Sequence, residues 1–293
     1  MSISSKSSIS SKAMLVYLTV SGWSARRHDD DASKEVADNH GAEAQRAGRY
    51  NKLLIDPKAD AFRAVKQAED RIRKFHYAHT LPWGQDGAQM LPAAEFFEYA
   101  SEMQKLEAAW RACVDAFIAD YPRLKENARH ELNGLYKESD YPSETRLRMK
   151  FAHRIDYFPV PDKADWRVTL GAEYEAEIKA NIEAQVEAAT NEAMRDLAAR
   201  LLEPVQHMVA KLGTPGAIFR DSLVENVRDI CALIPRLNVT GDARLANLAA
   251  EARDKLTLTP PDALRSDEAA RAAKAAEAKA IAKKMAAYMG GLQ

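Results

Sequence analysis

Apolar residues recur through most of this chain at the three- and four-residue spacing of a helix face, which predicts a mainly α protein. The sharpest case runs Phe96, Tyr99, Met103, Leu106, Trp110, Cys113 and Phe117, a strict alternation of three- and four-residue steps. Such a heptad seam needs a second helix along it and reads as coiled-coil-like. Tyr121-Pro122 interrupts the pattern, and a continuation over Arg123–Leu135 is predicted beyond it. A longer stretch, Glu173 to Leu212, carries Ile178, Ile182, Val186, Ala189, Ala193, Leu197, Leu201, Val205, Met208 and Leu212. Its steps are nearer a straight helix than a heptad, and Pro204 should kink or break it near Arg200. Asp56-Pro57 opens an earlier helix with Phe62, Val65, Ile72 and Phe75 on one face, ending at Leu81-Pro82-Trp83-Gly84. Thr214-Pro215 opens another, lined by Ile218, Phe219, Leu223, Val227, Ile230, Cys231 and Ile234 and stopped by Pro235 and Asn238. Thr240-Gly241-Asp242 caps a further helix with Leu245, Leu248 and Leu256.

Strand signals are few. Met14–Val20 alternates and is rich in β-branched residues. Lys150–Phe158 alternates imperfectly before Pro159 and Pro161, and Trp166–Leu170 is a third short candidate. Strands this short make only a small antiparallel sheet that must pack on helices. Ser24–Tyr50 is polar and reads as a long loop with room for a short helix. The predicted architecture is therefore mainly α, with long antiparallel helices and a small antiparallel β element. Residues 1–13 form a serine-rich disordered tail, 14–170 an N-terminal α+β region with the heptad helix, and 171–258 a helical region. Residues 259–293 form an Ala/Lys-rich helical tail beyond the break at Leu258-Thr259-Pro260-Pro261.

Composition narrows the class. The 293 residues carry 42 Lys and Arg against 43 Asp and Glu, so no net positive field favours a nucleic-acid coat. Hydrophobic residues make up 46%, enough for a core, and two cysteines do not make a disulfide framework. Ala13–Ala25 is too short and too polar for a membrane span or a signal peptide, so a cytoplasmic location is expected with both thiols reduced.

Catalytic and cofactor motifs are sparse. There is no GxxxxGK[ST], GxGxxG, GxSxG or HExxH. His76 and His79 stand three residues apart on one predicted helix, but no further ligand accompanies them. Cys113 lies on the heptad seam and Cys231 on a buried helix face, where a thiol behaves as a small hydrophobe. No catalytic, cofactor or metal residue is assigned, and the chain reads as non-enzymatic. Trp23 beside Arg26 and Arg27 is a candidate partner-binding patch, because Trp and Arg dominate binding hot spots. The competing reading is a loop neutralised by Asp29, Asp30 and Asp31. The C-terminal tail holds Arg265, Arg271, Lys274, Lys279, Lys283 and Lys284 against Asp267, Glu268 and Glu277. It reads as a solvated helix or as a mobile arm for a partner or for phosphates.

Two blocks carry a family resemblance. Met14-Leu15-Val16-Tyr17-Leu18-Thr19-Val20-Ser21-Gly22-Trp23-Ser24-Ala25-Arg26-Arg27 is the first. The second joins Gly213-Thr214-Pro215-Gly216, Phe219–Asn226, and Leu237-Asn238-Val239-Thr240-Gly241-Asp242 with Leu245. Over residues 14 to 258 the chain resembles the phage and prophage proteins called domain of unknown function 3150. The resemblance implies a phage-derived origin and a bacterial host cytoplasm, and it supplies no activity. The setting of the relatives implies a MoxR-like AAA+ ATPase as partner. Arg220, Asn226 and Asn238 in the second block join the candidate partner-binding residues, with helix capping as the alternative. The expected function is a protein that acts by protein–protein interaction or self-assembly, as an adaptor to that ATPase. A nucleic-acid-binding accessory role in phage replication or recombination is the alternative.

Overall fold

The computed structural model describes residues 8–84, 87–163 and 172–291. Six strands are described: β1 (Ala13–Ser21), β2 (Arg26–His28), β3 (Asn51–Leu53), β4 (Leu81–Pro82), β5 (Gln89–Pro92) and β6 (Ala152–Pro159). The first five helices are α1 (Asp30–Asn39), α2 (Asp60–Ala78), α3 (Phe96–Leu132), α4 (Glu144–Arg148) and α5 (Ala172–Leu212). They are followed by α6 (Ser222–Leu237), α7 (Ala243–Leu256), α8 (Pro261–Ser266) and α9 (Glu268–Gly290). The protein is mainly α with a small antiparallel sheet, ordered β4-β5-β1-β6. Ala13 of β1 faces Pro92 and Val16 faces Gln89 of β5, while Leu81 of β4 faces Met90. The third strand candidate, Trp166–Leu170, lies outside the described residues, as do residues 1–7. Ser8 and Ser10 just beyond are ordered: both hydroxyls donate to Asp162, at 2.9 and 2.6 Å.

The chain divides into two compact units, and the boundaries are not those expected from composition. The first unit comprises Met1–Tyr17, Tyr77–Tyr99 and Asp156–Gln293; the second comprises Leu18–His76 and Ala100–Ile155. In the first unit α5 is the central element. Its Leu197, Leu201, Val205 and Met208 share a core with Val227 and Ile234 of α6, Leu245 and Leu256 of α7, and Ile281 and Met285 of α9. Thus the Ala/Lys-rich tail is neither a mobile arm nor a solvated helix. Alanine at 11 of its 23 positions lets α9 approach α5 and α7 closely, and Ala278, Ile281, Met285 and Tyr288 are buried. The second unit has an aromatic core, in which Phe62 of α2 and Phe117 of α3 lie 5.3 Å apart between ring centroids.

Prolines proved weaker breaks than expected. α3 continues through Pro122 to Leu132, and α5 continues through Pro204 to Leu212. Each proline forfeits one helical hydrogen bond, while the turns beyond bury Leu124 and Ala128 in one case and Val205 and Met208 in the other. The heptad seam also departs from expectation. Tyr99, Met103, Trp110 and Phe117 are buried, but after Trp110 the buried face drifts to Val114, Ile118 and Tyr121, as a straight 3.6-residue helix requires. The seam is covered by its own chain: Trp110 meets Phe151, and Phe117 meets Trp23 and Phe62. Among the described residues, no second helix packs along it as in a coiled coil.

α6 starts at Ser222 rather than at Pro215, and Ile218 is 90% exposed instead of facing the core. The Arg271 guanidinium explains the delay. It donates to the carbonyls of Lys211, Leu212, Thr214 and Ala217, holding the segment after α5 as a turn. Asp56, expected as a helix cap, instead accepts from the Lys58 amide in a turn ahead of α2. Ser24–Tyr50, expected as a long loop with room for a short helix, carries that helix as α1 and also the short strand β2.

Candidate functional site

The candidate residues fall in both units. In the second, the segment after β1 turns inward: Trp23 is 6% exposed and packs on Phe62, Phe117 and Tyr121, with centroids 6.4, 6.3 and 5.8 Å away. Its indole therefore belongs to the core and not to a surface patch. Ala25 then takes a left-handed conformation (φ 53°), and its carbonyl accepts from the Leu54 amide. This sets the register of β2 on β3, with Arg26 opposite Leu53 and Arg27 opposite Lys52. Arg26 and Arg27 are exposed, and Arg27 Nε lies 3.6 Å from Asp140 Oδ1.

The aspartates after β2 do not neutralise these arginines. Asp29 caps α1 by accepting from the Ala32 amide, and its other oxygen lies 2.6 Å from Lys52 Nζ. Lys52 is buried, 2.7 Å from Asp140 Oδ2, and also donates to the Leu135 carbonyl. The Lys52 hydrogen bond brings the Asp29 pKa down to about 2. Burial opposes the Lys52 charge, but Asp140 and Asp29 outweigh it and the Lys52 pKa is raised. Asp31 pairs with Lys137 at 2.6 Å and Asp30 with His28 at 3.0 Å. The segment is a closed ion network with every buried charge paired.

In the first unit, Arg220 is exposed in the loop before α6. Asn238 is the C-cap of α6: its side-chain oxygen accepts from the Asp242 amide, and its side-chain nitrogen donates to the Asp242 carbonyl, both at 2.9 Å. Asp242 in turn caps α7. Asn238 thus acts in the α6–α7 turn. Asn226 lines a groove of about 580 Å³ between α5 and α6, with Arg200, Glu203 and His207 on one side, Asp229 on the other, and Ile230 and Leu233 beneath.

Histidine and cysteine chemistry is muted. Burial lowers the His76 pKa to about 4 and raises that of the Cys231 thiol to about 11. His79 Nδ1 lies 2.6 Å from an oxygen of the fully buried Glu95, whose other oxygen meets Arg236 Nε at 3.0 Å. Among the described residues, no three His, Cys, Asp or Glu side chains form a group able to hold a metal ion.

The residue not singled out from the sequence is Phe97, beside Phe96 of the expected seam. Phe97 is 83% exposed at the start of α3, its ring 5.5 Å from that of Phe96, which stands 5.9 Å from the half-exposed Tyr157 of β6. Phe158 points to the opposite face of β6, where it meets Tyr17 at 5.4 Å. The signal was present in Phe97, an aromatic set one residue off the apolar face. The basic residues of α9 are largely engaged internally. Arg271 holds four carbonyls, Lys274 donates to Glu277, and Lys284 Nζ lies 2.7 Å from Glu251. Arg265 of α8 pairs with Asp221 and Asp262.

Compared with protein-family models, curated proteins and solved structures, the chain matches none.

Proposed function

We propose that this chain is a non-enzymatic binding protein that holds a protein partner on the aromatic cluster Phe96, Phe97 and Tyr157. The carrying observation is Phe97, a large apolar ring left in water beside two further aromatics. Exposed aromatics in contact supply much apolar area with few rotatable bonds, the composition of binding hot spots. Arg220, in the same unit as the cluster, adds an exposed cation that sets partner orientation rather than affinity.

The resemblance to the phage and prophage family supplies the partner class: a MoxR-like AAA+ ATPase, with this chain as adaptor. An adaptor needs a rigid body and an exposed hot spot, not catalytic residues. Self-assembly has less support, since the seam that motivated it packs inside the chain. A nucleic-acid role has less support too, because four of the six cations of the last two helices are engaged within the chain, three with carboxylates and Arg271 with carbonyls. The test is retention of the purified ATPase of the same phage region on immobilised protein. Wild type should retain it and Phe97→Asp, folded by circular dichroism, should lose it. No retention by wild type removes the adaptor reading, and equal retention by both removes the aromatic surface.

A further inference from the structure

The groove between α5 and α6 lies in the same unit as the aromatic cluster. Its volume of about 580 Å³ is within the usual range of binding clefts. Ile230 and Leu233 give it an apolar floor. Glu203 on α5 and Asp229 on α6 line it and are exposed, and among the described residues neither forms an ion pair. Arg200, the one arginine of the lining, is already spent: its Nε lies 2.7 Å from Asp196, and its Nη1 donates to the Ala78 carbonyl. Pro204 removes a further donor. With no amide N–H at that position, the Arg200 carbonyl loses its helical partner. The unmet demand of the groove is therefore for hydrogen-bond donors and positive charge.

The groove ends beside the aromatic cluster. Ala78 in its wall is followed by His79, whose Nδ1 lies 2.6 Å from one oxygen of Glu95. Leu233 in its floor precedes Arg236 in the next turn of α6, and Arg236 Nε lies 3.0 Å from the other Glu95 oxygen. Glu95 is fully buried and directly precedes Phe96 and Phe97. We infer that the groove takes a basic segment of the protein partner, with an aliphatic side chain on Ile230 and Leu233 and lysine or arginine cations on Glu203 and Asp229. Charge complementarity selects this occupant, because an acidic or neutral segment leaves both carboxylates unmet. Which protein carries the segment rests on the reading of the aromatic cluster; the chemistry of the groove does not.

The probes are two end-blocked peptides, Lys-Leu-Gly-Leu-Lys and Glu-Leu-Gly-Leu-Glu, titrated into the ¹⁵N-labelled full chain. Asn226 lines the groove, so its side-chain amide resonances report occupancy. The basic peptide should move them saturably, and its affinity should fall as sodium chloride rises from about 50 to 500 mM. The acidic peptide should leave them in place. Glu203→Gln combined with Asp229→Asn alters two exposed side chains, so circular dichroism should be unchanged while the basic peptide binds about three- to tenfold more weakly. Asn226 resonances unmoved by millimolar basic peptide overturn the inference. So does an equal response to both peptides in wild type, a comparison that needs no variant, and so does equal affinity of wild type and the double variant for the basic peptide. Retention of the ATPase by wild type and Phe97→Asp reads the aromatic surface separately, so either reading can fail while the other stands.

Discussion

Lys52 shows how much one side chain can decide. It lies between Asp29 and Asp140 with no access to water, and the three charges are stable only together. Lys52→Met keeps the stem and leaves the buried Asp29 and the half-buried Asp140 without the ammonium they share. The expected loss is about 3 kcal/mol, read as a lower urea midpoint for this unit. Acid should act through the same group. The folded chain holds the Asp29 pKa near 2, whereas an unfolded aspartate titrates near 3.9. Between about pH 5 and 2 the unfolded chain binds more protons, so stability falls as the pH drops, and above that window the contribution is fully present. A melting-temperature series against pH should show a steeper acid limb for wild type than for Asp29→Asn. Trp23 makes the contrast between a core and a contact residue measurable. Trp23→Ala should cost about 3–5 kcal/mol of unfolding free energy, as for a buried aromatic. An unchanged urea midpoint would instead place the indole on the surface.

At the scale of elements, periodicity read the helices well and misread their ends. The faces of α2, α5 and α7 and the strand β1 were legible because burial imposes a repeat of 3.6 or 2 residues, while β6, none of whose residues is buried, was legible from its aromatic-rich run. The continuations of α3 and α5 through proline were not, since the offsetting burial comes from residues distant in sequence. The start of α6 was hidden for the same reason: Arg271, far along the chain, holds the preceding turn. α9 misled most, because small residues look solvated in a sequence and become close packing only when a neighbour is known. Removing residues 268–293 should therefore unfold the unit around α5, not trim an arm. Circular dichroism of the truncated chain should show helix loss well beyond the deleted residues. Met285→Ala alone should cost about 2–5 kcal/mol, as for a buried methionine. Of the candidate site, the exposure of Arg26, Arg27 and Arg220 was legible, but the burial of Trp23 and the capping role of Asn238 depended on tertiary partners.

For the whole molecule, the aromatic seam of α3 is satisfied internally while the ring of Phe97 stays in water. Such a chain is expected to be monomeric on its own and to bury Phe97 only against a partner. Light scattering after size exclusion should return a mass near 32.6 kDa across the concentration range. The most direct test of the proposed binding surface is hydrogen exchange of the full chain with and without the proposed ATPase partner. Slowed exchange concentrated at residues 96–99 and 156–159 is the expected result. Unchanged exchange there in a complex shown to form, with protection elsewhere on the chain, would contradict it.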